Sequence, residues 1–262
     1  MSKGKVYAAS DFHGNWELTK QVLDYLQPED KLYFLGDATD RGPSGVKVFQ
    51  ALINDPRVVY LKGNHDEMMA AAIPSVWAEI EDINYYDGYG YSLWYQNGGN
   101  KTTKDFWKMT KEEVYAIKKA IDKMPTQIMY KSPMGHSVIM EHAGYTPFSI
   151  LHRSHDPLWD REHFYDEWVK EAPDNVYLVH GHTPVQYLKY MYGYNGEHQL
   201  TKEEMKQKQE WLHSKDCNFD WKPTILRYCD GHKFCVDLCT IVSNRIGLLD
   251  LDTFEEIYFD GE

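Results

Sequence analysis

The sequence predicts an α/β fold in which parallel strands alternate with helices. Three short apolar runs, at residues 6–10, 31–35 and 58–61, have the length and composition of buried strands. Helical patterns with apolar residues three and four positions apart separate these runs. An alternation of strand, helix and strand is typical of a parallel sheet with helices on its faces. A chain of 262 residues is long enough for one such domain with a single core.

Each helix and strand follows from its own local pattern. The first helix contains Leu18, Val22, Leu23 and Leu26 on one face and stops near Pro28. The second helix is predicted from Ser44 to about Ile53, and the third after His65. A fourth covers residues 110–123, where Thr110 and Glu113 fit a capping box. The remaining strands are predicted at residues 127–130, 137–141, 176–179, 234–242, 245–251 and 255–259.

One stretch breaks this rhythm. Residues from about Gln186 to Asp230 lose the strand pattern and include a charged helix over residues 201–213. We expect this stretch to be an insertion on the core that influences substrate choice. Nothing in the composition resembles a linker, so residues 1–262 are predicted to form one domain that carries this insertion.

Composition and charge argue against several classes of function. The formal net charge is −12, and an acidic protein repels the phosphate backbone of nucleic acids and anionic membranes. We therefore expect no nucleic-acid partner and no membrane. The first residues lack the pattern of a signal peptide, so the protein is predicted to be cytoplasmic. Its four cysteines, Cys217, Cys229, Cys235 and Cys239, are predicted to be unpaired thiols, with Cys235 and Cys239 in a buried strand.

Polar side chains with metal-binding chemistry follow several of the predicted strands. The fragments are Asp11–Gly14, Gly36–Gly42, Gly63–Asp66, His142 and Gly181–His182. In open α/β sheets, ligand sites form at the carboxyl ends of the strands. Aspartate, histidine and asparagine together suit manganese, iron or zinc better than calcium. Six candidate ligands are too many for one ion that also binds substrate, so two ions sharing a carboxylate are predicted.

The order of these motifs identifies a family. The series DxHG, GDxxDRG, GNHD, a later single histidine and GHT resembles the Ser/Thr phosphoprotein phosphatase family of the calcineurin-like metallophosphoesterases. The match extends from Asp11 to Thr183, and the segments Trp94–Gly99 and Pro157–Arg161 look like those of bacterial and bacteriophage members. The resemblance implies a sandwich of two mixed β-sheets flanked by helices.

The resemblance also implies a role for each motif residue. Asp11 and His13 would bind one metal ion, and Asp37 would bridge both ions. The second ion would be completed by Asn64, His142 and His182. The two ions are expected to be manganese, with iron or zinc as alternatives.

The residues predicted to act on the substrate lie beside these ligands. His65 would be the general acid that protonates the leaving oxygen, and Asp40 would orient it. Arg41 would hold phosphate oxygens in a bidentate fork, together with Arg161 and Asn64. We expect His163, with His152 and His155, to lie in surface loops.

Three positions depart from the family pattern. Lys62 stands where the family usually has arginine, which keeps the charge but loses the planar fork. Asp66 replaces the commoner glutamate. His180 precedes the Gly181–His182 pair and is not assigned to a metal.

Several functions fit this centre. The leading expectation is hydrolysis of phosphomonoesters on serine or threonine, and also tyrosine, side chains of proteins. Small phosphoesters are expected as further substrates. The second is hydrolysis of a dinucleoside polyphosphate, for which the aromatic residues between Tyr85 and Tyr95 or the insertion would provide a wall for the base. A third is a non-catalytic metal-binding scaffold. We expect the aromatic residues to pack in the core rather than to line a groove.

Overall fold

The structure is a computed structural model, and it describes residues 4–81, 88–144, 156–165, 173–191, 201–203, 206 and 222–261. The first half of the chain alternates strands and helices as predicted. Its elements are β1 (Val6–Ala9), α1 (Trp16–Tyr25), β2 (Lys31–Phe34), α2 (Gly45–Asn54), β3 (Val58–Tyr60) and α3 (Asn64–Ile80).

A helical segment then connects the two halves. It comprises α4 (Gly88–Trp94), a π-helical turn (Tyr95–Gly99), α5 (Asn100–Phe106) and α6 (Lys111–Ile121). Thr110 caps α6 in the predicted capping box, since its side chain accepts a hydrogen bond from the Glu113 amide.

The second half contains mainly strands. They are β4 (Gln127–Lys131), β5 (Ser137–Glu141), β6 (Val176–His180), β7 (Leu226–Tyr228), β8 (Lys233–Cys235), β9 (Arg245–Asp250) and β10 (Glu256–Asp260). A 3₁₀ turn (Glu162–Tyr165) precedes β6, α7 (Val185–Met191) follows it, and α8 (Thr240–Ser243) precedes β9.

The described strands form two mixed sheets of five strands each. The first has the order β10-β9-β1-β2-β3, and the second has the order β4-β5-β6-β8-β7. In the first sheet β1, β2 and β3 are parallel to one another. β9 is antiparallel to both of its neighbours, β1 and β10. In the second, β5, β6 and β8 are parallel, and β4 and β7 are antiparallel edges. The predicted α/β class with two mixed sheets is confirmed.

The alternation of side chains along β1 explains the layers. Tyr7 and Ala9 belong to a hydrophobic cluster formed with the helices α1, α2, α3 and α6. Val6 and Ala8 belong to a second cluster, which includes Val138 and other residues of the second sheet. Because successive side chains of a strand point to opposite faces, the first sheet lies between its helices and the second sheet. Both faces of β1 are therefore buried, and its carboxyl end opens at the rim of the sandwich.

Two predictions about the second half need correction. The strand expected at residues 234–242 ends at Cys235, and Thr240–Ser243 form α8 instead. Cys239 has a left-handed backbone (φ 56°), which a strand does not permit. Cys239 is therefore not in a strand, whereas Cys235 is buried in β8.

The proposed insertion also contains regular structure at both ends. Residues 186–191 belong to α7, and residues 226–228 form β7, which pairs with β8. A three-residue edge strand is too short to produce a recognisable pattern in the sequence. Most of the expected helix over residues 201–213, and Cys217, lie outside the described residues.

Two further expectations concern the described residues alone. Cys235 and Cys239 are free thiols, as predicted for these two residues. Within the described ranges, no helix combines the length and the hydropathy needed to cross a membrane.

Candidate metal centre

The motif residues converge at the carboxyl ends of β1, β2, β5 and β6, in the way that the parallel topology predicts. Asp11 follows β1, Asp37 follows β2, His142 follows β5 and His182 follows β6. All four side chains are buried. Two groups of three residues each bring their ligand atoms within 4.8 Å of one another. One group is His13, Asp37 and His65, and the other is Asp11, Asp37 and His142.

Asp37 is the residue common to both groups. Its Oδ2 lies 3.4 Å from Nε2 of His142 and 3.9 Å from Nε2 of His13. Its Oδ1 accepts a hydrogen bond of 2.9 Å from the backbone amide of His65. This central position is the geometry that a shared carboxylate requires.

His13 stands on the Asp11 side of this carboxylate. Its Nδ1 donates to the carbonyl of Thr39 (2.9 Å), so the electron pair of the ring lies on Nε2. Nε2 lies 3.7 Å from Oδ1 of Asp11. A second partner that fixes the tautomer and orients the ring is typical of histidines that bind metals.

On the other side, three ligand atoms meet around Asn64. Its Oδ1 lies 2.8 Å from Nε2 of His142 and 3.0 Å from Nδ1 of His182. Nδ1 of His142 donates to the carbonyl of Leu35 (2.7 Å), which orients that ring. Nε2 of His182 is buried and has no hydrogen-bond partner in the described part of the chain.

The protonation behaviour of the centre fits a site for cations. Burial alone would raise the pKa of Asp37, but the charges of His142 and His65 hold it well below its ordinary value. Burial lowers the pKa of His142, yet the Asp37 carboxylate raises it to about 9. Burial lowers the pKa of His13 from its ordinary value, and it lowers the pKa of His182 well below that value. Ionised carboxylates and neutral imidazoles are the forms that bind metals, and a bound cation would replace the proton of His142.

Two glycines make room for the carboxylates. A Cβ atom on Gly63 would lie 2.1 Å from Oδ1 of Asp37, and one on Gly181 would lie 2.3 Å from Oδ2 of Asp11. No side chain larger than hydrogen fits at either position without displacing a candidate ligand. The donor set and this close packing both fit a pair of divalent ions.

The predicted acid and its partner are also in contact. Nδ1 of His65 donates to Oδ2 of Asp40 (2.8 Å), and both side chains are buried. Arg41 donates to Nε2 of His65 (2.8 Å) and to Nε2 of His13 (3.0 Å). The guanidinium therefore faces the two imidazole atoms that the predicted chemistry uses.

Arg161 lies beside the end of β6, close to His182. It is exposed, and its Nε donates to Oγ1 of Thr183 (3.1 Å), the residue after His182. Its charge contributes to the lowered pKa of His182, so it acts on the centre from a short distance. A phosphate contact by Arg161 stays a prediction.

The three departures from the family pattern have distinct surroundings. Asp66 is buried and accepts hydrogen bonds from the amides of Gly63 (2.8 Å) and Asp37 (3.1 Å). It thereby ties the start of α3 to the Asp37 loop. Lys62 is half-buried, and its amide donates to the carbonyl of Pro125 (2.9 Å). His180 is held by the carbonyl of Gly181 and the hydroxyl of Tyr228, which agrees with leaving it out of the metal ligands.

Sequence reasoning missed two residues that hold Asp40. The indole N–H of Trp94 donates to Oδ2 of Asp40 (2.9 Å), and the hydroxyl of Thr102 donates to Oδ1 (2.6 Å). Trp94 also packs in the core against Phe106, as expected for the aromatic residues, while its N–H binds the Asp40 carboxylate. The Trp94–Gly99 motif was the available signal, whereas nothing in the sequence marked Thr102.

One prediction about the other histidines was wrong. His163 is buried rather than exposed, with its ring 4.9 Å from that of His180. His152 and His155, with Tyr85 and Tyr86 of the aromatic cluster, lie outside the described residues.

Comparison with known proteins supports the family resemblance. The sequence model of the calcineurin-like phosphoesterase family matches residues 4–220. The bis(5'-nucleosyl)-tetraphosphatase PrpE [asymmetrical] of Oceanobacillus iheyensis is 24% identical over 209 residues, which cover 69% of this chain and 78% of that protein. A Caenorhabditis elegans protein named "Putative serine/threonine-protein phosphatase" is 30% identical over 101 residues. That match covers 36% of this chain and only 26% of the relative.

A solved structure shares the fold. The crystal structure named "putative diadenosine tetraphosphatase" matches with a TM-score of 0.56 and 14% identity, over 99% of this chain and 95% of that chain. At this identity the likeness concerns the fold alone.

Proposed function

Since the chain belongs to the calcineurin-like phosphoesterase family, we propose that it hydrolyses phosphoesters with two divalent metal ions held between Asp11, His13, Asp37, Asn64, His142 and His182. The observation that carries the proposal is the position of Asp37, whose Oδ2 lies 3.9 Å from Nε2 of His13 and 3.4 Å from Nε2 of His142. Manganese is the proposed metal, with iron or zinc as alternatives, and a cytoplasmic location stays a prediction from the sequence.

The proposed reaction is direct attack of hydroxide on phosphorus. Two divalent ions, when bound by these residues, would supply that hydroxide by lowering the pKa of water, and would neutralise charge on the phosphate oxygens. The protein's own residues complete the reaction. His65, held by Asp40, would protonate the leaving oxygen through Nε2. Arg41, which donates to His65 and His13, would turn to the phosphate oxygens, and Arg161 would contact them from its position near His182.

Phosphate on serine or threonine of proteins is the first candidate substrate. The motif series supports it, together with the C. elegans relative. Because that match covers about a quarter of the relative, the support concerns the centre rather than the surfaces that would bind a protein. Small phosphomonoesters belong to the same class of reaction.

A dinucleoside polyphosphate is the second candidate. The relative that is named as a bis(5'-nucleosyl)-tetraphosphatase matches over 69% of this chain and 78% of its own length, so its support extends beyond the metal ligands. A non-catalytic scaffold is the least supported alternative, because every predicted ligand is present.

The experiment that tests the proposal compares three substrates on the manganese-loaded chain. Turnover of p-nitrophenyl phosphate, a phosphoserine peptide and diadenosine tetraphosphate would be measured before and after removal of the metal with a chelator. We expect hydrolysis that is lost on chelation and restored by Mn²⁺. Hydrolysis that survives complete removal of metal, or its absence with all three substrates, would refute the proposal. The ratio of specificity constants decides between the candidates.

A further inference from the structure

A cavity of about 550 Å³ opens beside the candidate metal centre. The start of α1, the segment from Arg41 to Lys47, which includes the first residues of α2, and α8 with Asn244 line it. It adjoins the centre because Gly14 directly follows His13, and because the Arg41 guanidinium contacts both His13 and His65. Its volume lies in the range of pockets that enclose small ligands.

The walls of this cavity favour an anion although the protein as a whole is acidic. Arg41 and Lys47 both line it, and Glu17 is the one acidic residue in its lining. Helix α2 starts at this wall, and its N-cap residue, Ser44, makes no side-chain capping bond. The partial positive charge at the start of α2 adds to the two side-chain cations. A cationic cavity in a chain with a net charge of −12 indicates a negatively charged ligand.

The same cavity also offers an aromatic surface. Trp16 is half-buried and packs against the hydrophobic core, so its ring is held in place. The ammonium of Lys47 lies 3.8 Å from the centroid of that ring. Ile241, on α8, is 41% exposed and adds an aliphatic side chain. An indole with an adjacent cation and an aliphatic neighbour is a surface on which a planar base stacks.

The two walls are joined by a hydrogen bond. The side-chain amide of Asn15 donates to Oδ1 of Asn244 (3.0 Å), while Oδ1 of Asn15 caps α1 by accepting from the Leu18 amide (3.1 Å). This link holds α8 to the start of α1. A wall that such a link holds in place loses little conformational freedom when a ligand binds, which reduces the entropy cost of binding.

We propose that this cavity binds the nucleoside end of a nucleoside polyphosphate. The phosphate chain would pass from the candidate metal centre across Arg41 to the start of α2. The Lys47 ammonium, which lies over the Trp16 ring, would move to the phosphates, and the base would take its place on that ring. The inference rests on the proposed phosphoester hydrolysis and favours its second candidate substrate. A peptide carrying phosphoserine is less well suited, because its recognition requires neither a second cation nor a stacking surface beside the reacting phosphate.

A binding experiment tests the proposal independently of catalysis. Affinity for a non-hydrolysable diadenosine tetraphosphate analogue would be measured by calorimetry on the full chain, as wild type and as Trp16→Ala, Trp16→Phe and Lys47→Ala. We expect the Kd to rise at least tenfold in Trp16→Ala and Lys47→Ala, and much less in Trp16→Phe, which retains a stacking ring. Trp107→Ala and Lys108→Ala, which change exposed residues outside the cavity, should bind like the wild type. Thermal unfolding checks that each variant folds.

The outcomes separate this proposal from the general one. Absence of analogue binding by the wild type, or equal affinity in all variants, would overturn the nucleotide subsite even if p-nitrophenyl phosphate is hydrolysed. Binding through Trp16 without any metal-dependent hydrolysis would refute the proposed function and leave the subsite standing. If Trp16→Ala and Lys47→Ala lower the specificity constant for a phosphopeptide, but not for diadenosine tetraphosphate, the cavity would be assigned to a peptide instead.

Discussion

At the scale of single residues, the candidate centre is built from unusual backbone conformations. Six of its residues have left-handed φ angles between 44° and 68°: Asp11, His13, Asp37, Asp40, Arg41 and His182. Each such conformation costs on the order of 1–3 kcal/mol outside glycine. Buried hydrogen bonds hold them, for example from the amide of Asp40 to Thr102 and from that of His182 to Asp11. These hydrogen bonds fix the backbone of the site in this arrangement.

The role of His65 as an acid leads to a prediction about leaving groups. We expect His65→Asn to reduce turnover of alkyl phosphates strongly, about a hundredfold, because nothing else protonates the alkoxide. The loss with p-nitrophenyl phosphate should be smaller, since that leaving group needs little protonation. Steady-state kinetics on both substrates checks this, and metal content serves as the control. Equal losses on both esters would contradict the general-acid role.

The contact between Trp94 and Asp40 predicts an effect transmitted through His65. Trp94→Phe keeps the ring that stacks on Phe106 but removes one donor to a buried carboxylate, at a cost of about 1–3 kcal/mol in stability. We expect kcat to fall about tenfold with little change in KM, and to fall more for alkyl than for nitrophenyl esters. Denaturant titration and kinetics measure the two effects.

Thr102→Val removes the other donor to Asp40 and should act in the same direction. Trp107→Phe changes a tryptophan that is 60% exposed and is the matched control. A loss in stability alone, with no change in kcat, would mean that Trp94 only packs. Sequence reasoning could not find these contacts, because they join residues 54 and 62 positions apart and depend on how α4 and α5 approach the Asp40 loop.

At the scale of elements, the junctions between strands and helices position the ligands. The sequence predicted these junctions well because each combines a buried strand with a glycine and a polar motif. It predicted β7 and the end of β8 poorly. β7 is a three-residue edge strand, and the apolar run after β8 suggested a continuous strand although the chain turns at Cys239 into α8.

The junction between β3 and α3 allows a test of close packing. Gly63 has an ordinary φ of −100°, so alanine causes no backbone strain there, but its Cβ would overlap Oδ1 of Asp37. We expect Gly63→Ala to displace the carboxylate and to lower bound Mn²⁺ per chain. Gly135→Ala is the control, since it introduces strain at φ 94° with no atom within 4 Å. Full metal content in Gly63→Ala would argue against Asp37 as a ligand.

The end of β6 predicts how stability depends on pH. Burial lowers the pKa of His180 from its ordinary value of 6.5 to about 3, so the unfolded chain binds this proton first as the pH falls. Between these two values the folded state loses stability on acidification, by about 1 kcal/mol for this residue at pH 5.5. Well above pH 6.5, where both states are neutral at this residue, it contributes no pH dependence.

The measurement is denaturant unfolding at pH 7.5 and 5.5. In His180→Gln, which does not titrate, the loss between the two pH values should be smaller than in the wild type by about 1 kcal/mol. An unchanged difference would show that His180 is not buried in its neutral form.

At the scale of the whole molecule, two mixed sheets bring four strand ends to one rim, and the candidate metal centre lies there. The fold class and the convergence of the candidate ligands could be predicted because parallel strands end at the same edge. The cavity beside Arg41 could not, because its walls come from α1, the Arg41–Lys47 segment and α8, which are distant in sequence. Substrate choice belongs to this scale, since it depends on surfaces beyond the shared motifs.

We propose that two metal ions share Asp37, and anomalous scattering from crystals grown with Mn²⁺ would locate them. We expect two anomalous peaks roughly 3.5–4 Å apart, with the Asp37 carboxylate between them, His13 at one peak and His142 at the other. A single peak, or two peaks of which only one contacts Asp37, would contradict it.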